Sequence, residues 1–257
     1  MTGYYGAPDE FKGKVALVTG GSRGIGRAIA LAFAERGATA AICYRSGAEG
    51  AAEVCAEAAR SGWRVTSHRA DVGWSEQVRG LVESVLTEHG RIDILINNAG
   101  VFPRTPVVDS TDEEWEEVMR SNLYATFYCS RAVLPHMMAR GSGIIVNMGS
   151  IAGKRGSRWH AAYAAAKGGV FAFTRSLAKE AIPHGIRVNA VCPGRVETDI
   201  FGAQLDDKER ARFVAEAPIG RLSAPEEVAS AVLFLASAAS SYVVGETLDV
   251  DGGLVMD

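Results

Sequence analysis

Residues 15–26 read VALVTGGSRGIG, an apolar run that leads directly into a turn rich in glycine. A helical pattern follows over residues 24–36. Glycines let the chain turn sharply, and they let backbone N–H groups approach a pyrophosphate at the start of a helix. The order of strand, glycine turn and helix predicts a dinucleotide-binding unit. A tight turn without a ligand is the alternative interpretation.

Apolar segments typical of strands alternate with amphipathic segments typical of helices along most of the chain. The predicted strands are 15–19, 39–44, 64–69, 92–97, 143–148, 187–192 and 247–250. The predicted helices are 24–36, 48–61, 75–89, 112–140, 159–184 and 225–238. Strands that are apolar throughout and separated by helices indicate a parallel sheet with helices on both faces. We therefore predict an α/β fold with a single doubly wound, Rossmann-type sheet.

The chain carries no Pro/Gly/Ser-rich linker, charge block or internal repeat. We expect one domain over residues 1–257, with residues 1–13 as an amino-terminal tail. Residues 197–217 form a charged, helix-like insert between the sixth strand and the last helix. Ligands bind beyond the carboxyl ends of the strands in such a fold, so we predict that the insert acts as a substrate lid there.

The composition excludes several classes of protein. The 257 residues are 47% hydrophobic and 22% charged, which suits a large buried core. A net charge of −3 gives no electrostatic reason to expect a nucleic acid or an anionic membrane as partner. No apolar run reaches the ~18 residues of a membrane span, and the first residues do not resemble a secretory signal. We expect a cytoplasmic protein.

The cysteines and histidines show no spacing typical of a metal site. The four cysteines lie far apart, and we expect buried thiols that pack as small apolar side chains. The five histidines form no H-E-x-x-H motif and no other paired ligand spacing, so we predict no bound metal.

Two arginines bear on the choice of cofactor. NAD sites usually place Asp or Glu about 20 residues after the glycine turn to hold the ribose hydroxyls. Here the second strand ends in Arg45, and Arg23 lies inside the turn. A cation opposes the dipole at a helix N-terminus, and a bound phosphate would offset that cost. We predict NADP(H) rather than NAD(H); two solvated surface arginines are the alternative.

Tyr163 and Lys167 are four residues apart, which places them on one face of a helix. Ser150 follows the strand 143–148, and Asn122 lies within the long predicted helix before it. Each of these residues could instead have a purely structural role. Tyr163 could pack on a neighbouring element, Ser150 could belong to a turn, and Asn122 could hydrogen-bond backbone groups.

In these features the sequence resembles the short-chain dehydrogenase/reductase family. The matching residues extend over nearly the whole chain: Thr19-Gly20, Gly24, Gly26, Asp71, Asn97-Asn98-Ala99-Gly100, Asn122, Ser150, Tyr163, Lys167, Pro193-Gly194 and Thr198. The order of these residues, and the spacing from Ser150 to Tyr163, make the resemblance specific.

The resemblance implies reduction of a carbonyl by hydride transfer, with Tyr163 exchanging the proton. A free tyrosine has a pKa near 10, and we expect a nearby Lys167 ammonium to lower it toward the working pH. Lys167 would also hold the nicotinamide ribose. Ser150 would hydrogen-bond the carbonyl oxygen, and Asn122 would hold a water in a proton relay.

The same resemblance implies the cofactor contacts. Asp71 and Val72 would flank the adenine, Pro193 and Gly194 would pack on the nicotinamide, and its carboxamide would contact Val196 and Thr198. The full predicted set is Gly20, Ser22, Arg23, Gly24, Ile25, Gly26, Arg45, Asp71, Val72, Asn98, Ala99, Gly100, Tyr163, Lys167, Pro193, Gly194, Val196 and Thr198. Asn97 and Asn98 could instead be mainly structural.

The sequence says less about the substrate than about the cofactor. The overall pattern looks like a 3-oxoacyl-(acyl-carrier-protein) reductase, in which Arg140 or Lys179 would contact an acidic carrier. Related reductases of sugars, diketones and bulky ketones have the same overall sequence pattern. Apolar walls are expected from Phe102, Trp159 and Phe201, and charge from Arg104, Arg155, Arg158 and Arg195, unless these form only a solvated rim. His160 could face the substrate or lie on the surface.

Two further expectations concern assembly and class. The predicted helices 112–140 and 159–184 carry more apolar surface than one sheet face covers, so we expect them to pair between subunits in a homotetramer. A non-catalytic NADP-binding sensor or scaffold is the alternative from another class of protein. Such proteins typically lose one of the four catalytic residues, and this chain keeps all four.

Overall fold

The computed structural model describes residues 9–198 and 206–256. Seven parallel strands form one sheet in the order β3-β2-β1-β4-β5-β6-β7. They are β1 Val15–Thr19, β2 Thr39–Tyr44, β3 Arg64–Arg69, β4 Ile94–Asn97, β5 Gly143–Met148, β6 Ile186–Pro193 and β7 Thr247–Val250. The predicted doubly wound sheet is confirmed. Successive strands are added on one side of β1 up to β3 and on its other side from β4 onward, which leaves a crevice at the carboxyl ends of β1 and β4.

Helices cover both faces of the sheet. They are α1 Gly24–Glu35, α2 Ala48–Arg60, α3 Ser75–His89, α4 Asp112–Met119, α5 Ala125–Arg140, α6 Ile151–Arg155, α7 Ala161–Ala181, α8 Asp207–Glu216 and α9 Pro225–Ala236. The sequence predicted one helix over 112–140, but a π-helical turn at Arg120–Tyr124 separates α4 from α5. The short helix α6 was not predicted, because five residues are too few for a periodic apolar pattern.

Alternate residues of each strand feed two separate cores. Ala16 and Val18 of β1 pack with α1, α2 and α9 on one face of the sheet. Val15 and Leu17 pack with α3, α5 and α7 on the other face. Because both faces are covered, the central strands β1, β2 and β4 are mostly apolar runs rather than alternations, whereas the edge strand β3 is polar and partly exposed.

The predicted amino-terminal tail and the predicted insert both contain described residues. Phe11 is buried, and its ring lies 4.9 Å from that of Phe33 in an edge-on arrangement. Phe11 therefore anchors the described part of the predicted tail to the core, while Asp9, Lys12 and Gly13 stay exposed. Within the predicted insert, α8 begins at an Asp206 cap that accepts a hydrogen bond from Glu209 N at 2.7 Å. Phe201 lies outside the described residues.

The cysteines lie where their apolar surroundings predict. Cys43, Cys129 and Cys192 are buried free thiols, and Cys55 is partly exposed. Burial raises the pKa of the Cys43 thiol to about 12, so this thiol is neutral at physiological pH. Among the described helices, none is long and apolar enough to cross a membrane.

Candidate active site

A cleft of about 690 Å³ opens at the carboxyl edge of the sheet. The glycine turn after β1 and the loop after β4 form one part of its wall, and the start of α7 forms another. All four predicted catalytic residues and every predicted cofactor-binding residue line this one cleft. Folding thus brings together side chains that span almost 180 positions of the sequence.

The glycine turn is shaped by backbone conformations that favour glycine. Gly20 has φ of 67° and Gly24 has φ of 53°, both in the left-handed region. Helix α1 begins at Gly24, so its free N–H groups face the cleft. A Cβ at Gly26 would overlap the carbonyl oxygen of Gly20 and lie 2.5 Å from Asn98 Nδ2. The turn therefore leaves room only for backbone, as a pyrophosphate cradle requires.

Asn98 holds this turn in place. Its side-chain Nδ2 donates to the carbonyl oxygens of Thr19 at 2.9 Å and Gly20 at 3.2 Å. The Thr19 hydroxyl accepts from the backbone N–H groups of Asn98 at 2.9 Å and Ala99 at 3.0 Å. The structural role that the sequence left open for Asn98 is therefore present, alongside its place in the cleft wall.

Asn97 has only the structural role. Its Nδ2 donates to Asn147 Oδ1 at 2.8 Å and to Ser130 Oγ at 3.0 Å, deep in the core between β4, β5 and α5. Asn147 continues the chain of hydrogen bonds to Thr174 Oγ1 at 2.9 Å. This buried polar network ties β4 and β5 to α5 and to α7, the helix that carries Tyr163 and Lys167.

Arg45 lies at the far end of the cleft from Tyr163's helix, at the end of β2. Its Nη1 donates to Glu117 Oε1 at 2.8 Å and lies 3.8 Å from Asp71 Oδ2. The hydrogen bond to Glu117 is the main cause that raises the pKa of Arg45. About half of the Arg45 side chain stays exposed to the cleft and solvent. It can therefore offer its remaining N–H groups to an anion.

The opposite end of the cleft is built from the loop after β6. Gly194 packs against Asp251, where a Cβ would lie 2.7 Å from the Asp251 Cα. Val196 forms an isolated parallel bridge with Ser223. A Cβ added at Gly24 would lie 3.4 Å from Thr198 Cγ2. The loop after β6 therefore reaches back over the glycine turn.

Tyr163 and Ser150 face each other across the cleft floor. Ser150 caps α6, and its Oγ accepts from Ala152 N at 3.2 Å. Burial raises the pKa of Tyr163 to about 12, and its hydrogen bond with Ser150 offsets only part of that rise. The expected lowering of this pKa by Lys167 is therefore wrong for the protein without cofactor. The phenol keeps its proton at neutral pH.

Lys167 is only 4% exposed, and its ammonium points into the cleft floor. Its Nζ donates to the carbonyl oxygen of Met148 at 2.7 Å and lies 5.6 Å from the centre of the Tyr163 ring. Burial lowers the pKa of Lys167 to about 8. A protonated phenol and a charged amine therefore coexist at pH 7, the pair of states needed to give a proton to a substrate.

These two pKa shifts predict the pH dependence of reduction. Because Lys167 loses its charge near pH 8 while Tyr163 keeps its proton, kcat/KM for ketone reduction should be level below pH about 8 and fall above it. The measurement is the initial rate of NADPH oxidation across that range. In Lys167→Arg, whose guanidinium stays charged, the remaining activity should lack this fall. An unchanged fall in that variant would assign it to another group.

Asn122 is fully buried within the π-helical turn. Its Nδ2 donates to the carbonyl oxygens of Val118 at 2.9 Å and Val101 at 3.0 Å. Its Oδ1 is buried without a hydrogen-bond partner among the described residues. A Cβ placed on Gly100 would overlap this oxygen and lie 3.9 Å from Lys167 Nζ. The free acceptor thus faces the space beside Lys167.

Aromatic rings form the substrate side of the cleft. Phe102 stacks on His160 with centroids 4.1 Å apart, and meets Tyr163 edge-on at 4.7 Å. His160 therefore lines the cleft wall and is half-buried at the start of α7. Trp159 adopts φ of 67°, rare for a bulky residue, and its ring lies between Arg104 at 4.4 Å and Arg158 at 4.2 Å.

Helix α8 borders the cleft mouth and is held there by ion pairs that the sequence did not identify. Arg195 donates to Phe213 O at 2.9 Å, pairs with Glu216 and lies 3.8 Å above the Phe213 ring. Arg104 pairs with Glu209 at 3.0 Å. Two of the four arginines predicted at the mouth thus hold α8. The other two, Arg155 and Arg158, are exposed on the rim.

The two residues suggested for carrier contact lie elsewhere. Arg140 donates to Asp93 Oδ1 at 2.7 Å and to Ile92 O at 3.2 Å, just before β4 begins. Lys179 is 16 residues after Tyr163 on α7, about 24 Å along the helix. Both are therefore at the amino edge of the sheet. Within one subunit they do not border the cleft, so the suggestion does not hold there.

Comparison with known proteins agrees with this geometry. A family model described as Enoyl-(Acyl carrier protein) reductase matches residues 20–255. The 3-oxoacyl-[acyl-carrier-protein] reductase FabG of Vibrio harveyi is 43% identical over 245 residues, which is 95% of this chain and 98% of that protein.

Two solved structures share the fold closely. A putative NAD(P)-dependent gluconate 5-dehydrogenase from Beutenbergia cavernae, with bound NADP, superposes with a TM-score of 0.91 at 39% identity and covers 96% of this chain and 99% of that one. The 3-oxoacyl-[acyl-carrier protein] reductase of Brucella melitensis gives a TM-score of 0.91 at 38% identity, over 97% of this chain and 94% of that one. The chain belongs to the short-chain dehydrogenase/reductase family and resembles its 3-oxoacyl-[acyl-carrier-protein] reductases.

Proposed function

We propose that this chain is an NADPH-dependent reductase that converts the ketone of a 3-oxoacyl thioester to a secondary alcohol. One observation carries the proposal. A protonated Tyr163 phenol, hydrogen-bonded with Ser150, lies beside the buried Lys167 amine in the same cleft as the glycine turn.

Each catalytic side chain has a distinct task in this proposal. The cofactor, when bound, supplies the hydride that reaches the carbonyl carbon. Tyr163 gives its phenolic proton to the carbonyl oxygen, and Ser150 donates a hydrogen bond to that oxygen as negative charge develops. Lys167 stabilises the phenolate that remains. Asn122, with its free Oδ1 beside Lys167, holds a water through which Tyr163 regains a proton.

The residues present fit a dinucleotide at this site. The glycine turn packs so closely on α1 that a Cβ at Gly26 would overlap the carbonyl oxygen of Gly20, and free N–H groups at the start of α1 face the cleft. Arg45 and Arg23 supply positive charge where a 2′-phosphate would lie. The relative from Beutenbergia cavernae, which has NADP bound, supports the same choice of cofactor.

Replacing Arg45 by aspartate should weaken NADPH at least about tenfold while NADH is much less affected. A carboxylate there would stand beside Asp71 and Glu117, and a charge-assisted hydrogen bond to phosphate is worth about 1.5–3 kcal/mol. Fluorescence titration with each cofactor measures both affinities. Arg60→Asp, an exposed change at the end of α2, is the matched control. Equal losses for both cofactors would overturn the preference for NADPH.

The substrate class follows from the relatives and from the cleft wall. The Vibrio harveyi and Brucella melitensis proteins are 3-oxoacyl-carrier reductases by name. The stacked rings of Phe102 and His160 offer an apolar wall beside Tyr163, and the exposed Arg155 and Arg158 give the mouth a positive rim. An acyl chain fits the wall, and an acidic carrier fits the rim. We propose that residues 197–217 close over both.

A substrate screen tests the proposal. Rates of NADPH oxidation are compared for a 3-oxoacyl thioester on carrier protein, the same acyl group on a short thiol, an enoyl thioester, a sugar ketone and a simple diketone. The 3-oxoacyl thioesters should give the highest kcat/KM, and the carrier should improve it. A higher kcat/KM for the sugar ketone would favour the activity named for the Beutenbergia cavernae relative. Cofactor binding without turnover of any substrate would favour a sensor.

We also propose that the enzyme is a cytoplasmic homotetramer. Phe127 of α5 is 39% exposed and lies 6.1 Å from Phe173 of α7, so these two helices share an apolar outer surface. Such a patch on a soluble protein is typical of a subunit interface. Free thiols without a disulfide among the described cysteines suit a reducing compartment. A monomer in light scattering would exclude the tetramer.

A further inference from the structure

Two histidines lie close together at the edge of the sheet, one on the outermost strand and one on the helix beside it. His68 lies on β3, and His89 is the last residue of α3, 21 positions later. The ligand atoms of His68, His89 and Glu88 all lie within 4.8 Å of one another. The sequence predicted no metal site because these histidines are far apart along the chain. Folding brings them together, since α3 runs back beside β3.

The distances are close to those of a tetrahedral metal site. Glu88 Oε2 lies 3.6 Å from His68 Nε2, and Glu88 Oε1 lies 3.6 Å from His89 Nε2. Zinc binds imidazole nitrogen and carboxylate oxygen at about 2.0–2.2 Å, which places tetrahedral ligands roughly 3.4 Å apart. The two Glu88–histidine distances are therefore within a few tenths of an ångström of that spacing, and the two imidazole nitrogens, no more than 4.8 Å apart, complete the set.

The surrounding groups orient both rings. His68 Nδ1 lies 3.2 Å from Ser84 Oγ, and a proton held there leaves the Nε2 lone pair free for a metal. Thr66 Oγ1 lies 2.9 Å from His89 Nε2 and 3.4 Å from His68 Nε2, between the two ligand nitrogens. A hydroxyl there can serve as a fourth ligand or give way to water.

Burial and charge also favour ion binding. The His89 side chain is 2% exposed and that of His68 10%, while Glu88 is 44% exposed and gives access from solvent. Both imidazole rings are therefore largely shielded from solvent, while the carboxylate remains reachable. Arg64 opposes a cation near His89, and the Glu88 carboxylate counters it.

We propose that His68, His89 and Glu88 bind one divalent transition-metal ion of the zinc type. Two imidazoles and one carboxylate suit Zn²⁺, Co²⁺, Ni²⁺ and Cu²⁺, whereas Mg²⁺ and Ca²⁺ prefer oxygen ligands throughout. The ion fastens β3 to the end of α3. Because β3 is an edge strand, this link stabilises the margin of the sheet that is most open to unfolding. None of the proposed catalytic residues takes part.

Metal binding to the full-length protein tests the site directly. Protein freed of metal by a chelator is titrated with Zn²⁺ by calorimetry and with Co²⁺ by visible absorption. One ion should bind per chain, and Zn²⁺ at a hundred times its Kd should raise Tm by about 5 °C. Mg²⁺ should produce neither effect. Absence of stoichiometric binding by Zn²⁺ and Co²⁺ would overturn the proposal.

Variants distinguish this site from adventitious binding. Glu88→Gln, an exposed change that should not disturb folding, is expected to weaken Zn²⁺ binding at least tenfold, and His89→Gln should abolish it. His184→Gln alters an exposed histidine elsewhere, and Cys55→Ser removes the one partly exposed thiol among the described cysteines. Both controls should bind Zn²⁺ as the parent does. Unchanged binding in Glu88→Gln and His89→Gln would place the ion elsewhere.

Discussion

Tyr163→Phe is expected to lower the turnover of a 3-oxoacyl thioester by at least ~10²-fold, the usual effect of removing a general acid. The phenol is the group in this cleft that holds a proton at neutral pH next to both Ser150 and Lys167. Phenylalanine keeps the ring and its edge-on contact with Phe102 at 4.7 Å, so the wall of the cleft should persist. The loss should appear in kcat, with NADPH affinity nearly unchanged.

Single-turnover rates and a fluorescence titration with NADPH separate these two effects. Tyr128→Phe, which removes a hydroxyl on α5 away from the cleft, is the matched control and should retain full activity. A Tyr163→Phe variant with near-normal turnover would show that another group supplies the proton. Lost cofactor binding in that variant would instead point to a positioning role for the ring.

Gly26→Ala should weaken NADPH binding by roughly 10- to 100-fold. The new methyl group would overlap the carbonyl oxygen of Gly20 and lie 2.5 Å from Asn98 Nδ2, both parts of the turn itself. Relieving overpacking of this kind costs about 1–3 kcal/mol, and each 1.4 kcal/mol is tenfold in affinity. To make room for the methyl group, the backbone of the glycine turn has to move. We therefore expect the variant to lose NADPH affinity before it loses other properties.

Gly80→Ala is the matched control, because Gly80 also lies within a helix but has no atom within 4 Å of an added Cβ. Alanine is a better helix former than glycine, so this variant should gain up to about 1 kcal/mol of stability and bind NADPH normally. Calorimetry and thermal unfolding of both variants provide the comparison. Normal NADPH affinity in Gly26→Ala would mean that the turn does not contact the pyrophosphate as proposed.

The sequence was sufficient to predict the sheet. Every strand was placed to within two residues. The central strands are covered on both faces, so they are mostly apolar and contrast sharply with the helices. It was also sufficient to group the site residues, since the carboxyl ends of β1, β4, β5 and β6 must meet at one edge of such a sheet.

Local helix geometry was harder to predict. The π-helical turn at Arg120–Tyr124 adds no apolar signal, yet it turns Asn122 inward and leaves its Oδ1 free beside Lys167. The protonation states were also beyond the sequence. Spacing suggested that Lys167 lowers the pKa of Tyr163, but burial, which depends on packing from distant segments, raises it to about 12.

The sequence by itself determined the fold, the glycine turn and the set of side chains that we propose as catalytic, because these depend on local periodicity and on residue type. Only the tertiary structure decided which charged groups are already engaged, such as Arg140 on Asp93 and Arg195 on Glu216. It alone also brought His68 to His89. Contacts between residues far apart in the chain depend on how whole elements pack, and no local pattern encodes that packing.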